Sequence, residues 1–388
     1  MLNNKIIKEF GALPTPFYFY DMEILDRTLE VLTGESKKHG YVVHYALKAN
    51  SNTKIVGKMA EFGLGADCVS GNEIIRAIEC GIPADKIVFA GVGKSDWEIE
   101  IALQNDIFCF NCESIAEIQN INDLAKKADK TARIALRINP NVSAYTHKYI
   151  TTGLDENKFG VSINEMKNIL AELRNCKNLE LIGLHFHIGS QITNMEAFKG
   201  LCVRINELLT IVEQYNYNLE HINVGGGLGI DYENPDFNSV PDFWSYFSVF
   251  EKFLDLRPNQ KLHFELGRSL VAQCGYLISR VLYIKKGVKT NFAILDAGMT
   301  ELIRPALYQV RHKIENLTST GAENEYDVVG PICESSDTFS KAVKLPETKR
   351  GDLIAIRSAG AYSESMAFNY NMRPVVKAYY SDDIERIV

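Results

Sequence analysis

Short runs of β-branched and aliphatic residues recur along the chain. Each is closed by a turn and followed by a segment whose apolar positions fall three and four apart. The runs at 42–46, 64–68, 86–90, 107–110, 132–138, 181–187, 221–224 and 261–266 read as strands. Between them, 71–80, 95–104, 114–128, 163–173 and 196–215 read as amphipathic helices. Eight strands alternating with helices over about 230 residues predict an α/β fold, a (β/α)8 TIM barrel, with an open doubly wound sheet as the alternative.

From about residue 275 the pattern changes. Runs at 277–284, 291–296, 326–330 and 352–357 read as strands with few long helices between them, which predicts a separate, mainly antiparallel β domain. Near the N-terminus, Phe17-Tyr18-Phe19-Tyr20 follows Thr15-Pro16 and reads as a strand that joins that domain. Asp21 is placed to cap a helix running through Leu32. The expected boundaries are 27–270 for the barrel, and 1–26 with 271–388 for the β domain.

Composition narrows the function classes. In 388 residues, 46% are apolar and 23% charged, and 42 basic against 49 acidic residues give a net charge of −7. Nothing in that balance favours nucleic acid or an anionic membrane as a partner. Met1 to Phe10 lacks the apolar stretch of a secretory signal, and no apolar run is long enough to span a bilayer. Eight scattered cysteines fit reduced thiols and a cytoplasmic location. Cys109 and Cys112 form a single CxxC without a second pair, an incomplete ligand set, so no metal is expected.

Active sites of such barrels lie where strands end at the C-terminal face. The residues at those ends are Lys48, Asp67, Gly91, Asn111, Arg137, His187, Gly225 to Gly227, and Glu265. Five of the eight ends carry a charged side chain or a histidine, where turns would ordinarily supply small polar residues. Lysine is rare at a buried strand end unless it is paired or reactive, so Lys48 reads as a covalent anchor; a surface lysine closing a strand is the plain alternative. Gly225-Gly226-Gly227-Leu228-Gly229 fails the dinucleotide fingerprint because Ile230 stands at its sixth position, and it reads as a phosphate loop or as a bare tight turn.

His185 and His187 share one side of a strand. They are either a metal pair, or a core histidine below a rim histidine that stacks on a flat ligand. Lys48 and Arg137 make the surroundings cationic, which favours stacking. Glu265 could act as a base, pair with Arg268, or hold a protonated pyridine nitrogen. Cys333, between Gly330-Pro331 and Glu334, sits among acids that disfavour a thiolate, so it suits proton donation or a buried structural place.

The motifs Tyr45-Ala-Leu-Lys48-Ala-Asn50, His185-Phe-His187-Ile-Gly-Ser190-Gln191, Gly225-Gly-Gly-Leu-Gly229, Glu265-Leu-Gly-Arg268, Cys333-Glu-Ser and Gly360-Ala-Tyr362 occur in order. Together they resemble the alanine-racemase-fold, or fold type III, pyridoxal-phosphate decarboxylases, over about residues 14 to 374. The resemblance implies a pyridoxal 5'-phosphate cofactor carried covalently by Lys48, with His187 on its ring and Glu265 at the pyridine nitrogen. It implies Ser190, Gly225, Gly226, Gly227, Gly267, Arg268 and Tyr362 around the phosphate, and Asp67 and Arg137 in support. Arg268, Arg304, Tyr308 and Tyr362 would face the substrate.

The family also implies a homodimer with shared sites, in which Cys333 of one copy protonates the intermediate held by the other and Glu334 binds the distal amino group. The implied reaction is decarboxylation of meso-2,6-diaminopimelate to L-lysine and CO2. The alternatives are an ornithine, arginine or carboxynorspermidine decarboxylase of the same fold, a non-catalytic regulatory relative, or a metal-dependent barrel hydrolase. Three positions depart from the family pattern: Leu266 for its usual Pro, and Ser336 and Ser363 for Gly. Ser363 puts the shape of the loop beside Tyr362 in question.

Overall fold

All eight apolar runs of the first pattern become strands, each short and closed by a turn. A computed structural model describes residues 2–142 and 158–383. Met1 and 384–388, assigned from the sequence to the β domain, lie outside the described residues. The chain forms two units, residues 29–229 with 242–267, and residues 1–28 with 230–241 and 268–388.

The first unit is a closed parallel barrel. Its strands are Val42–Ala46, Gly65–Cys68, Ile87–Phe89, Cys109–Cys112, Ala132–Arg137, Leu179–His185, His221–Asn223 and Lys261–Leu266. Each pairs with the next, and the last closes on the first with Tyr45 opposite Leu266. The expected helices appear as Gly71–Glu79, Asp96–Gln104, Ile115–Lys127, Ile163–Glu172 and Met195–Gln214. Their starts are set by side-chain caps: the hydroxyls of Ser70, Ser114 and Ser162 accept from the backbone N–H of Glu73, Glu117 and Glu165. Phe243–Phe253, a further helix, presses Phe247 and Phe250 onto Phe264.

The interior of this barrel is polar. Near the N-terminal ends of its strands three imidazoles form a chain. His44 Nδ1 meets the Lys86 carbonyl at 3.1 Å, His44 Nε2 meets His263 Nδ1 at 2.9 Å, and His263 Nε2 meets His221 Nδ1 at 2.9 Å. A carbonyl only accepts, so His44 carries its proton on Nδ1. His263 then donates to His44, and His221 donates to His263. Phe108 stacks on His263 with ring centres 5.5 Å apart and meets His221 edge-on.

The second unit is a mainly antiparallel sheet in the order Ile314–Asn316, Leu353–Ile356, Gly275–Lys286, Asn291–Leu295, Glu323–Val329, Thr338–Pro346. Within this order Asn291–Leu295 and Glu323–Val329 run parallel. Phe17–Tyr20 joins this sheet, as the sequence predicts, pairing antiparallel with Gly275–Lys286 and parallel with Ala378–Tyr380. The helix Asn4–Ala12 plants Phe10 between Phe17 and Phe19, at 5.3 and 4.9 Å between ring centres.

Two boundaries differ from the sequence reading. The helix capped by Asp21 runs from Met22 to His39, beyond Leu32, and the division between the units falls inside it. Residues 230–241, expected in the barrel, group with the β unit. Asp236 there binds Arg357 at 2.7 Å and Lys313 at 3.1 Å, and Gln273 donates to the carbonyls of Pro235 and Asn238. A loop held by ion pairs has no apolar period for a sequence pattern to detect. No helix among the described residues is long and apolar enough to cross a membrane.

Candidate active site

The strand Val42–Ala46 gives way to a single 3-10 turn, Leu47–Ala49, that buries Leu47 and Ala49 and turns Lys48 outward. Lys48 Nζ meets Asp67 Oδ2 at 3.1 Å. Asp67 is the next-to-last residue of the neighbouring strand and is fully buried, and its Oδ1 has no hydrogen-bond partner. Burial and the charge of Glu265 push the Asp67 carboxyl up, while Lys48 pulls it back. Glu73, in the first turn of the next helix, accepts from Val69 N at 2.7 Å, and burial raises its carboxyl to about 7. The sequence reading missed Glu73.

Glu265 is the most firmly held group of the barrel. Its Oε2 meets His185 Nε2 at 2.8 Å, and its Oε1 accepts from Asn111 Nδ2 at 3.0 Å and Asn223 Nδ2 at 2.8 Å. The bond from Asn111 joins two non-adjacent strands and so crosses the lumen. Burial alone would raise this carboxyl, but the bond to His185 and the charge of Lys48 outweigh it and hold it well below the usual carboxylate range. Glu265 is therefore a fixed anion.

This resolves the two histidines. His185 is a core residue with a task, holding Glu265 through Nε2. His187, at the rim, has its pKa driven well below the ordinary histidine value by burial and by the charges of Arg137 and Lys48. It is neutral, and its Nδ1 accepts from Gly226 N at 3.3 Å.

The glycine run is a turn whose tightness is a packing requirement. A Cβ on Gly226 would stand 1.9 Å from the Glu265 carbonyl oxygen, and one on Gly225 2.3 Å from that of Phe186. Gly225 and Gly227 also take φ of 70° and 106°. Two amides of the run are already committed, Gly225 N to Asn223 Oδ1 and Gly226 N to His187 Nδ1. Among the described residues the amides of Gly227 and Leu228 have no partner within the chain, so an anion has these two to bind. Arg137 Nη1 meets Glu113 Oε1 at 2.9 Å. Glu113 also accepts from Gly91 N and Gly160 N, tying three strand-end loops together. Gly267 lies against Ala46 and Ala49, where a Cβ would come within 2.9 Å of Ala49.

In the β unit, Arg268 and Arg304 are both buried, and both donate to the hydroxyl of Tyr232. The Arg268 guanidinium lies 4.8 Å from the ring centre of Tyr362. Tyr362 itself takes the left-handed φ of 58°, while Ser363 keeps a φ of −114°. The departure from glycine at Ser363 thus costs no backbone strain. Tyr308 ends the short helix Arg304–Tyr308. Cys333, Glu334, Ser335 and Ser336 are exposed on a turn pinned from beneath by Asp337, which accepts from Met299 N and Ile332 N. Among the eight cysteines Cys333 alone is exposed, so the buried structural alternative does not apply. Among the described residues no group of three or more His, Cys, Asp or Glu is placed to hold a metal ion.

The barrel offers what pyridoxal phosphate needs: an amine beside a buried acid, a fixed carboxylate, a neutral flat ring and free amides in a loop that admits no side chains. The profile of the family described as "Pyridoxal-dependent decarboxylase, pyridoxal binding domain" matches residues 29–272. The diaminopimelate decarboxylase of Bacteroides thetaiotaomicron is 58% identical over 379 residues, 97% of this chain and 98% of that protein. That of Helicobacter pylori strain J99 is 42% identical, over 94% of this chain and 90% of its own length. The crystal structure of the H. pylori enzyme complexed with L-lysine superposes with a TM-score of 0.91 at 41% identity, covering 97% of this chain and 94% of that one. The Paramecium bursaria Chlorella virus arginine decarboxylase, 20% identical with a TM-score of 0.85, shares the fold alone.

Proposed function

Because the chain belongs to the pyridoxal-dependent decarboxylases, we propose that it removes one carboxyl group of meso-2,6-diaminopimelate and releases L-lysine and CO2. The observation that carries the reaction type is Glu265, a carboxylate kept ionised by three donors in the same barrel as the Lys48–Asp67 pair. The substrate rests on near full-length relatedness to diaminopimelate decarboxylases.

When bound, the pyridoxal ring supplies an electron sink for the pair left behind by departing CO2. Lys48 would hold the cofactor covalently through its Nζ. Glu265 would hold the pyridine nitrogen, and neutral His187 would face the ring. Gly227 and Leu228 N–H, with Ser190, Gly267, Arg268 and Tyr362, take the phosphate. Asp67 and Arg137 support the lysine and the ring.

Arg268, Arg304, Tyr308 and Tyr362 receive the distal carboxylate of the substrate. In a homodimer, Cys333 of the second copy delivers the proton to the carbon that lost CO2, and Glu334 holds the distal amino group. The exposure of both on a rigid turn supports that assignment. A cytoplasmic location suits the reduced thiols.

The deciding measurement is CO2 release from meso-diaminopimelate, ornithine, arginine and carboxynorspermidine. Release from the first alone is expected, and release from another in its place would reassign the substrate. Silence on all four would point to the regulatory relative. The holoenzyme is expected to show a visible absorbance that Lys48→Ala abolishes.

A further inference from the structure

Two buried arginines of the β unit share one phenol. Tyr232 Oη accepts from Arg268 Nη1 at 2.5 Å and from Arg304 Nη1 at 2.6 Å. A phenol oxygen has two lone pairs, and both are used. Among the described residues its own proton has no acceptor.

Arg304 makes the problem acute. It is 2% exposed, no carboxylate among the described residues pairs with it, and its Nε is buried without an acceptor. Its other polar neighbour, His312, lies 3.4 Å away through Nε2. His312 Nδ1 donates to the Arg357 carbonyl at 2.8 Å. Burial and the Arg304 charge push His312 down to about 3, so it stays neutral. Burying a guanidinium without a counter-charge is strongly unfavourable. Within the chain Tyr232 is the group placed to supply one.

We propose that Tyr232 is held as a phenolate bridging Arg268 and Arg304, so that the pair presents one net positive charge to one substrate carboxylate. Two guanidiniums less one phenolate leave a single positive charge. Burial pushes the Tyr232 phenol up, but the two guanidiniums outweigh it and bring it below the ordinary tyrosine value. The other titratable groups facing the bridge are Tyr308 and Tyr362, beside Arg268, and His312; Lys313 contributes its backbone N–H to the Tyr232 carbonyl. The inference rests on the proposed reading of both arginines as substrate residues. Tyr232 acts through them as a positioning residue. It sets the charge that separates a distal end bearing a carboxylate from one that is only an amine.

The test uses holoenzyme carrying 13Cζ-labelled tyrosine. At neutral pH one of the 18 tyrosines is expected to resonate as a tyrosinate, to be missing from Tyr232→Phe, and to convert to the phenol only on acidification. Eighteen protonated phenols at neutral pH would overturn the proposal in favour of a neutral phenol that donates to a ligand. If Tyr232→Phe fails to fold, the wild-type titration decides alone.

A second readout compares inhibition by L-lysine and by cadaverine, which lacks the carboxylate. The preference for L-lysine over cadaverine is expected to rise about tenfold in Tyr232→Phe, because losing the phenolate leaves two positive charges toward one carboxylate. An unchanged ratio would refute the charge-matching role. The resonance needs no turnover, and either readout can fail while diaminopimelate is still decarboxylated. A wild type inert toward diaminopimelate would instead defeat the proposed function.

Discussion

Glu265 shows how much a single side chain depends on its holders. Glu265→Gln keeps the shape but loses the anion, so cofactor binding is expected to persist while turnover falls about a hundredfold or more, as measured by single-turnover absorbance. Asn223→Ala is a gentler probe. It leaves Oε1 with Asn111 alone, and the lost charged bond is worth about 1.5–3 kcal/mol. The loss should appear as a higher Glu265 pKa and an acid limb of the kcat profile moved toward neutrality.

Lys48, Asp67, His187 and Glu265 were legible because charge at a barrel strand end is unusual. Asn223 and Glu113 were not, because an asparagine or glutamate in sequence carries no mark of what it will hold. His185 was legible only as a core residue. Its bond to Glu265 joins positions 80 residues apart, which no local pattern contains.

At the scale of elements, apolar runs and serine caps made the barrel readable in order. The helix Asn4–Ala12 escaped although Ile6, Ile7 and Phe10 fall at helical spacing, because it is only 9 residues long. The β unit gave up five of its strands but not Ile314–Asn316, Thr338–Pro346 or Ala378–Tyr380, and not its pairings, since Phe17–Tyr20 finds Gly275–Lys286 across most of the chain. The glycine run was read for ligand binding, yet packing governs it first. Gly226→Ala forces backbone against backbone, so it is expected to lower stability by about 1–3 kcal/mol in denaturant melts and to weaken pyridoxal phosphate binding together with it.

For the molecule as a whole, the proposed dimer makes each site a joint product. Lys48→Ala and Cys333→Ala should each be nearly inactive alone, and mixing them after dissociation should restore up to about a quarter of the activity by random pairing. Failure to recover any would place Cys333 outside the partner's site.

Stability should also follow pH in a defined direction. His44, His187 and His263 all have folded pKa values below the ordinary 6.5, chiefly through burial. The unfolded chain therefore binds more protons than the folded one below that value. The histidine contribution is full above 6.5 and declines as pH falls, by up to about 1.4 kcal/mol per pH unit for each histidine, while the raised carboxyls of Glu73 and Asp67 offset part of it. Thermal melts between neutral pH and pH 5 would show it, and a flat profile would refute it.

The imidazole chain in the barrel interior is a ratchet with one setting. Its three tautomers are dictated by the Lys86 carbonyl, which cannot take up a proton. A proton arriving at His221 has nowhere to go beyond His44, so the chain insulates Glu265 from that end although it is built of conducting parts. His263→Phe should therefore cost stability, about 1–3 kcal/mol for the broken bonds, and leave the solvent isotope effect on turnover unchanged. Whatever proton ends the reaction enters from the other mouth of the barrel.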